Sequence, residues 1–206
     1  LPIESLPIES LPPMERDNSS CRFIRLESLL RPCKIHRHRW SRLRNLCSRK
    51  SKHLPRHRKK WGDFELEYEF KVDSRLNAGV QIRSEVSQNR MRGCQIEIDM
   101  DENRQRFWSA GIYEEGDRGW LCDLSKNPEA IAAHNIDEWN HVRVVTRGAM
   151  IETYLNGVAA AKTWCGQRLK GVIGLQVHGV GAAQTEPLKV QWRRLKIRDH
   201  GEHQWV

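Results

Sequence analysis

The chain has 206 residues, with 35 lysines and arginines against 26 aspartates and glutamates, and its formal net charge is +9. Sixteen of these basic residues but only five of the acidic ones fall within residues 1–60, so the positive charge belongs to the first third of the chain. A nucleic-acid role argued from charge would apply to that third only.

No apolar run approaches the ~20 residues of a membrane-spanning helix. The six cysteines show no CxxC or Cys/His spacing, which argues against a structural zinc site.

Residues 1–60 have a strongly biased composition. A tandem LPIES repeat opens the chain, and its regularly spaced prolines oppose a helix. The following residues are rich in Arg, His, Lys and Ser and contain no sustained apolar period. We predict a disordered basic extension, or a peptide that is not native to the domain after it. The alternative is a basic arm that binds nucleic acid. The start also lacks the charged region and long apolar stretch of a secretory signal.

From Trp61 the pattern changes to short strands separated by turns, and we predict one domain over residues 61–200. Asp63–Val72 alternates charged and apolar residues, as expected for a strand with one face on a core. Asn127-Pro128 predicts the start of a short helix over 128–134, whereas 114–124 is interpreted as an irregular loop. Near Arg193-Arg194 the apolar phase of the last strand changes, which predicts a bulge. About eight strands and one helix indicate an all-β fold, an antiparallel β-sandwich or jelly roll.

Alternation also places polar side chains together. In the strand around Gly93–Asp99, Gln95, Glu97 and Asp99 share the face opposite Ile96 and Ile98. Arg83 lies on the strand before it and is predicted on the same surface. The functional interpretation is a carbohydrate or metal site, since carboxylates bind divalent ions or act as bases. The alternative is a solvated face on which Arg83 forms a surface ion pair of little energetic value.

Aromatic residues and one histidine extend the list of candidates. Trp108, Tyr113 and Trp120 offer flat rings for stacking on a sugar, although such residues more often pack in a core or at its rim. His178 follows the apolar strand that ends at Val177, and it would share a face with Gln176. A single histidine is usually structural, but here it would lie with the other polar candidates.

Several segments together resemble one family over about residues 61–198. They are WGDFELEYEFKV, NAGVQIRS, RGCQIEID, WSAGIYEEGDRGWL, DEWNHVRVVTRG, TYLNGV, GVIGLQVHGVG and VQWRRLKIRD. The set is similar to the 3-keto-disaccharide hydrolases, formerly a domain of unknown function. This resemblance implies a concanavalin A-like β-sandwich, common in bacteria that degrade plant glycans and often periplasmic or secreted. It also implies strands before Asp63 that residues 1–60 do not match, and an aromatic residue where this chain has Cys94.

The resemblance implies a hydrolase that acts on 3-keto-glycosides by removing the C2 proton, eliminating the C1 substituent and adding water. Glu97 or Asp99 would serve as the base or bind a divalent ion such as Ca²⁺, Mg²⁺ or Mn²⁺, and Arg83 and His178 would stabilise the enolate. The residues expected to hold substrate are Gln95, Tyr113, Trp108 and Trp120. The partner is a carbohydrate substrate, with nucleic acid a lesser expectation. The alternative is a lectin-like module that binds carbohydrate without catalysis, because one fold serves both functions.

Overall fold

The structure is a computed structural model that describes residues 4–5, 22–25, 59–87, 90–179 and 188–201. Two antiparallel sheets of six strands face each other, which confirms the predicted β-sandwich. The strands of sheet A are, in spatial order, β1 (Glu4–Ser5), β14 (Val190–Gly201), β3 (Asp63–Val72), β10 (Asn140–Arg147), β11 (Met150–Leu155) and β12 (Val158–Trp164). Those of sheet B are β2 (Arg22–Arg25), β13 (Val172–Val177), β4 (Ala78–Ser87), β5 (Arg90–Ile98), β8 (Ile112–Glu115) and β9 (Gly119–Cys122).

Three small elements complete the described part. Strands β6 (Met100–Asp101) and β7 (Arg106–Phe107) pair with each other and enclose a 3-10 turn over Glu102–Arg104. The α-helix α1 spans Pro128–Ala132. Among the described residues, no helix has the length and hydrophobicity required to cross a bilayer.

The core lies between the sheets and follows from strand alternation. Every second residue of β3 is buried, while the charged residues between them lie on the other side of sheet A. There they form ion pairs near solvent, such as Arg193 Nε with Glu69 Oε2 at 2.6 Å. Sheet B contributes its own apolar positions from the opposite side. The fully buried core side chains of β3, β4 and β5 are Phe64, Leu66, Tyr68, Phe70, Val80, Ile82, Ile96 and Ile98.

Local signals in the sequence locate most elements. The strand predicted over Asp63–Val72 is confirmed, and α1 begins where Asn127 accepts a hydrogen bond from the Ala130 N–H at 3.1 Å. The predicted bulge is also confirmed, since the β3–β14 register shifts between Arg193 and Lys196. The loop predicted over 114–124 is wrong, because residues 119–122 form β9 and pair with β8.

Most of residues 1–60, including the predicted basic arm, lies outside the described residues. The described parts are β1, β2 and residues 59–60. Strand β1 pairs with β14 at one end of sheet A, and β2 pairs with β13 at one end of sheet B.

One buried guanidinium joins the two sheets. Arg83 sits in a bulge of β4, where the register with β5 shifts between Ile82 and Glu85, and its φ is +48°. Its Nη2 contacts Asp63 Oδ1 at 2.9 Å, and its Nε donates to the Gly62 carbonyl at 2.9 Å. Its Nη1 donates to the carbonyl of Gly148, in the turn between β10 and β11. Arg83 therefore points between the sheets rather than to the polar surface predicted for it, because the bulge breaks the strand alternation.

We expect replacement of Arg83 by methionine to lower the free energy of unfolding by about 3 kcal/mol, since it removes one partner of a buried ion pair. Equilibrium urea denaturation measures this loss. Arg147→Met is the matched control because Arg147 is exposed, and it should change the free energy of unfolding by less than ~0.5 kcal/mol. Equal effects of the two substitutions would contradict the anchoring role.

Candidate functional site

A chain of hydrogen-bonded side chains runs along the face of sheet B that turns away from the core. The strand register places Gln81 directly opposite Gln95. Ser84 Oγ donates to Gln81 Oε1 at 2.7 Å, and Gln81 Nε2 donates to Gln95 Oε1 at 2.8 Å. Gln95 Nε2 then donates to Glu97 Oε1 at 2.7 Å. In each amide of this chain, the oxygen accepts a hydrogen bond from one neighbour and the nitrogen donates one to the next. The chain therefore fixes the orientation of the Glu97 carboxyl group.

One amide group connects the two carboxyl groups of the site. Asn77 Nδ2 donates to Glu97 Oε2 at 3.0 Å and to Asp99 Oδ2 at 2.9 Å. Arg106 Nη2 contacts the same Asp99 oxygen at 3.0 Å. Glu97 is only 4% exposed and Asp99 is fully buried. The two acids thus share one desolvated pocket with a single guanidinium beside Asp99.

Glycines flank Glu97 on both neighbouring strands. Gly79 of β4 lies opposite Glu97, and the carbonyl of Gly111 accepts a hydrogen bond from the Glu97 N–H at 3.0 Å. A Cβ at Gly79 would lie 2.8 Å from the Gln95 side chain, and one at Gly111 would lie 3.1 Å from the Trp120 ring. The absence of side chains at these positions leaves room for Gln95 and Trp120 beside Glu97.

Several buried polar atoms in this region have no hydrogen-bond partner within the described part of the chain. They include both amide atoms of Gln176, which lies opposite Gly79 and is fully buried. They also include Asp99 Oδ1, Asn77 Oδ1 and Arg106 Nε. Because a buried polar atom without a partner costs free energy, most such atoms in folded proteins are paired. Their position around two carboxyl groups makes this region the candidate site for a polar ligand.

Three half-buried aromatic rings adjoin the carboxyl groups. Tyr113 lies opposite Gln95 across β5 and β8, and Trp120 lies opposite Tyr113 across β8 and β9. The Trp120 ring packs edge-on against Trp108 and Tyr113, with centroid distances of 5.2 and 5.4 Å. Arg106 lies 5.2 Å from the Trp108 ring centre, which connects the aromatic cluster to Asp99.

The surroundings of the two carboxyl groups give them different pKa values. Burial raises the pKa of Glu97 to about 8, and the charge of Asp99 adds to this rise, although the Asn77 hydrogen bond opposes it. Burial also raises the pKa of Asp99 to about 6, against the opposing effects of Asn77 and Arg106. At neutral pH, Asp99 is therefore mainly ionised and Glu97 mainly protonated. Such a pair can accept a proton at one group and donate a proton at the other.

The oxygen atoms of this site do not fit a divalent cation. Both Glu97 oxygens and Asp99 Oδ2 accept hydrogen bonds from amide or guanidinium groups. Among the described residues, only Asp99 Oδ1 and Asn77 Oδ1 remain unpaired here, whereas calcium takes six to eight oxygen ligands. The geometry of Glu97 and Asp99 therefore does not support the divalent metal ion expected from the sequence.

The structure brings together Gln95, Glu97 and Asp99, and it places Trp108, Tyr113 and Trp120 beside them. Arg83 is not part of this group, for the reason given above. His178 lies at the end of β13, where its N–H donates to the Asn77 carbonyl at 3.0 Å. The sequence analysis did not identify four residues of the site, namely Asn77, Gln81, Arg106 and Gln176. Only Gln176 carried a signal, as a polar residue inside an otherwise apolar strand.

The fold and site define a concanavalin A-like β-sandwich with a buried carboxyl pair on the outer face of one sheet. A family model described as the 3-keto-alpha-glucoside-1,2-lyase-like domain matches residues 40–198, and the chain belongs to this family. Membership supports a carbohydrate-related function. No curated protein matches the chain.

Two solved structures are similar to this chain. A carbohydrate-binding module, CBM66 from Bacillus subtilis, has a TM-score of 0.52 and 12% identity, covering 68% of this chain and 78% of that one. A putative glycosyl hydrolase from Parabacteroides distasonis has a TM-score of 0.48 and 22% identity, covering 68% and 80%. At these identities the likeness concerns the fold alone.

The raised pKa of Glu97 predicts a pH dependence of stability. The folded state binds the Glu97 proton more tightly than the unfolded state, in which the pKa of this carboxyl group is near its ordinary value of 4.5. Glu97 therefore stabilises the fold fully below pH 4.5, and this contribution is lost as the pH rises through about 8. Glu97→Gln should flatten the fall in unfolding free energy between pH 5 and pH 9 in urea denaturation. Glu129→Gln, at an exposed helix position, should keep the wild-type slope, and an unchanged slope in Glu97→Gln would contradict the assignment.

Gln176 predicts a variant that is more stable than the wild type. Gln176→Met keeps the shape of the side chain but removes two buried polar atoms that have no partner among the described residues, so we expect a gain of ~1 kcal/mol in unfolding free energy. Gln81→Met is the matched control, because Gln81 is equally buried but hydrogen-bonded. It should lower stability, as measured by urea denaturation. A loss of stability in both variants would show that the Gln176 amide contributes to the fold itself.

Proposed function

We propose that this chain cleaves 3-keto-glycosides by elimination at C1 and C2, with Asp99 as the base and Glu97 as the acid. The observation that carries this proposal is the buried carboxyl pair bridged by Asn77, whose two pKa values lie on either side of neutrality. Family membership supports this choice of substrate class.

The chemistry requires a base and an acid on the same small region of the sugar. A ketone at C3 acidifies the C2 proton, because the carbonyl oxygen takes up the charge of the enolate. Asp99 Oδ1 is a buried oxygen without a partner among the described residues, and it accepts the C2 proton. The electron pair then forms the C1–C2 double bond and the C1–oxygen bond breaks. Glu97 donates its proton to the departing oxygen, and water adds at C1 to complete a net hydrolysis.

The enolate oxygen needs a hydrogen-bond donor that does not already bond to another group of the protein. Arg83 is unsuitable because its guanidinium bonds to Asp63, Gly62 and Gly148. The amide group of Gln176 has no hydrogen-bond partner among the described residues and lies on the same row of sheet B as Glu97, so its Nε2 donates to the C3 oxygen and its Oε1 accepts from a neighbouring hydroxyl. His178 lies next to this row, where its N–H donates to the Asn77 carbonyl.

The remaining polar and aromatic residues position the acid and the sugar. Gln95 holds Glu97 through its own hydrogen bond and is itself held by Gln81. Trp108, Tyr113 and Trp120 provide ring surfaces beside the carboxyl pair, which suit the apolar face of a pyranose.

The aromatic cluster also supports a second candidate function, a carbohydrate-binding module without catalysis. Three half-buried rings, together with side chains that hydrogen-bond to sugar hydroxyl groups, suffice to bind a sugar. Two buried carboxyl groups with different pKa values, in contrast, are needed only for proton transfer. The two functions differ in one measurable property. An enzyme exchanges the C2 proton of a 3-keto-glycoside with solvent or releases the aglycone, and a binding module does neither.

The roles of Asp99 and Glu97 can be distinguished by measuring two reactions of 3-keto-glycosides in heavy water, deuterium exchange at C2 and release of the aglycone. Asp99→Asn should abolish both C2 deuterium exchange and aglycone release, with a loss of about 10²–10⁴-fold typical of a general base. Glu97→Gln should slow the release of an alkyl alcohol much more than that of a nitrophenol, because a nitrophenolate departs without protonation. NMR follows the exchange and absorbance follows the nitrophenol.

The exposed Glu129→Gln variant serves as the control and should retain full activity. Full turnover by Asp99→Asn would refute its role as the base. Sugar binding by the wild type, detected by calorimetry without exchange or release, would favour the binding module.

A further inference from the structure

Two cysteines from different sheets meet inside the sandwich, on the opposite side of β5 from the carboxyl pair. Cys94 belongs to β5 and Cys165 directly follows β12, and they are 3% and 1% exposed. Their sulfur atoms and a carboxylate oxygen of Glu114 all lie within 4.8 Å of one another. Both cysteines are free thiols. The pair belongs neither to the proposed reaction nor to the hydrogen-bond chain of the outer face.

The charges around this cluster favour a thiolate over a bound cation. Glu114 is fully buried, and its carboxylate accepts hydrogen bonds from Arg118 Nε and, at 3.3 Å, from Arg168 Nη1. Arg118 Nη2 also donates to Cys165 Sγ at 3.3 Å. Two guanidiniums thus face this carboxylate, although Arg168 also contacts Asp117 at 3.9 Å and Glu85 at 4.0 Å. A metal ion would have to displace or repel them, whereas a negative sulfur atom at Cys165 would be stabilised by Arg118 against the repulsion of Glu114, whose Oε1 accepts from the Cys165 thiol at 3.6 Å.

The two thiols differ in acidity in the way that disulfide chemistry requires. The hydrogen bond with Cys94 lowers the pKa of Cys165 to about 7, and Arg118 acts in the same direction against burial and Glu114. The pKa of Cys94 is raised by the hydrogen bond with Cys165 and by burial. The contact of Arg118 Nη2 with Cys165 Sγ at 3.3 Å favours the thiolate at Cys165, so we assign Cys165 as the nucleophile and Cys94 as the thiol that resolves the first product.

We propose that Cys94 and Cys165 are an inter-sheet disulfide site that closes when the folded protein meets a hydroperoxide. The Cys165 thiolate attacks one peroxide oxygen, the O–O bond breaks, and a sulfenic acid forms. The Cys94 sulfur then attacks the Cys165 sulfur, and the sulfenic oxygen departs as water. In total, two thiols and one hydrogen peroxide give one disulfide and two waters.

The position of the pair gives the bond a structural effect. Cys94 lies in sheet B, whereas Cys165 is fixed to sheet A, where its N–H donates to the Ala149 carbonyl at 2.7 Å. A disulfide would therefore join the two layers covalently across a long segment of chain, which constrains the unfolded state. Arg118 touches Cys165, and its side chain is 41% exposed, so movement of this side chain would give a molecule as small as peroxide access to the sulfur.

The test uses the full chain with serine at Cys21, Cys33, Cys47 and Cys122, so that only the proposed pair remains. Hydrogen peroxide should remove both free thiols in a thiol titration, and peptide mass spectrometry should find Cys94 linked to Cys165. The urea midpoint should rise on oxidation and return to its original value with dithiothreitol. The same chain with Cys165→Ser should show no rise, and circular dichroism should show that it remains folded.

Three results would overturn the proposal. One is peroxide treatment that leaves both thiols free in the folded protein. Another is oxidation to sulfinic or sulfonic acid without a Cys94–Cys165 peptide. The third is stoichiometric zinc in the purified protein that protects both thiols, which would assign the cluster to a metal. Peptide mapping of the peroxide-treated wild-type chain decides the question if the serine variants fail to fold.

Discussion

Two buried carboxyl groups share the hydrogen-bond donor of one amide, and the candidate site is built around this contact. Asn77 Nδ2 contacts both Glu97 and Asp99, and burial makes the charged form of each costly. The negative charge concentrates on Asp99 because Arg106 lies beside it. The proton therefore remains on Glu97. On the outer face of sheet B, Gln95 holds Glu97, Arg106 holds Asp99, and Gly79 leaves space for the Gln95 side chain.

Both sheets carry alternating charges on their outer faces, and the sequence alone does not distinguish them. On sheet A, acids such as Glu65 and Glu69 pair with arginines of neighbouring strands at the solvent boundary. On sheet B, Glu97 bonds to the amides of Gln95 and Asn77 and is buried. The difference arises from cross-strand partners and from what surrounds the face. Both are long-range properties that strand periodicity does not contain.

Prediction from the sequence succeeded where the determinant was local. Strand β3, the cap of α1 and the bulge near Arg194 each depend on a few adjacent residues. The shared face of Gln95, Glu97 and Asp99 also follows from alternation within one strand. The position of Arg83 was not accessible in this way, because a single residue at positive φ reverses the direction of its side chain. Asn77 and Arg106 reach the site from a turn and from a short strand outside the two main sheets, so no periodic pattern links them to it.

The glycines beside Glu97 have an evolutionary consequence. Each glycine codon is one nucleotide from an alanine codon, and the methyl group added at Gly79 would collide with Gln95 while leaving the core between the sheets untouched. A single mutation can therefore disturb the acid without unfolding the sandwich. Because one scaffold can carry either a catalytic or a binding site, a substitution of this kind would alter the candidate site while keeping the fold.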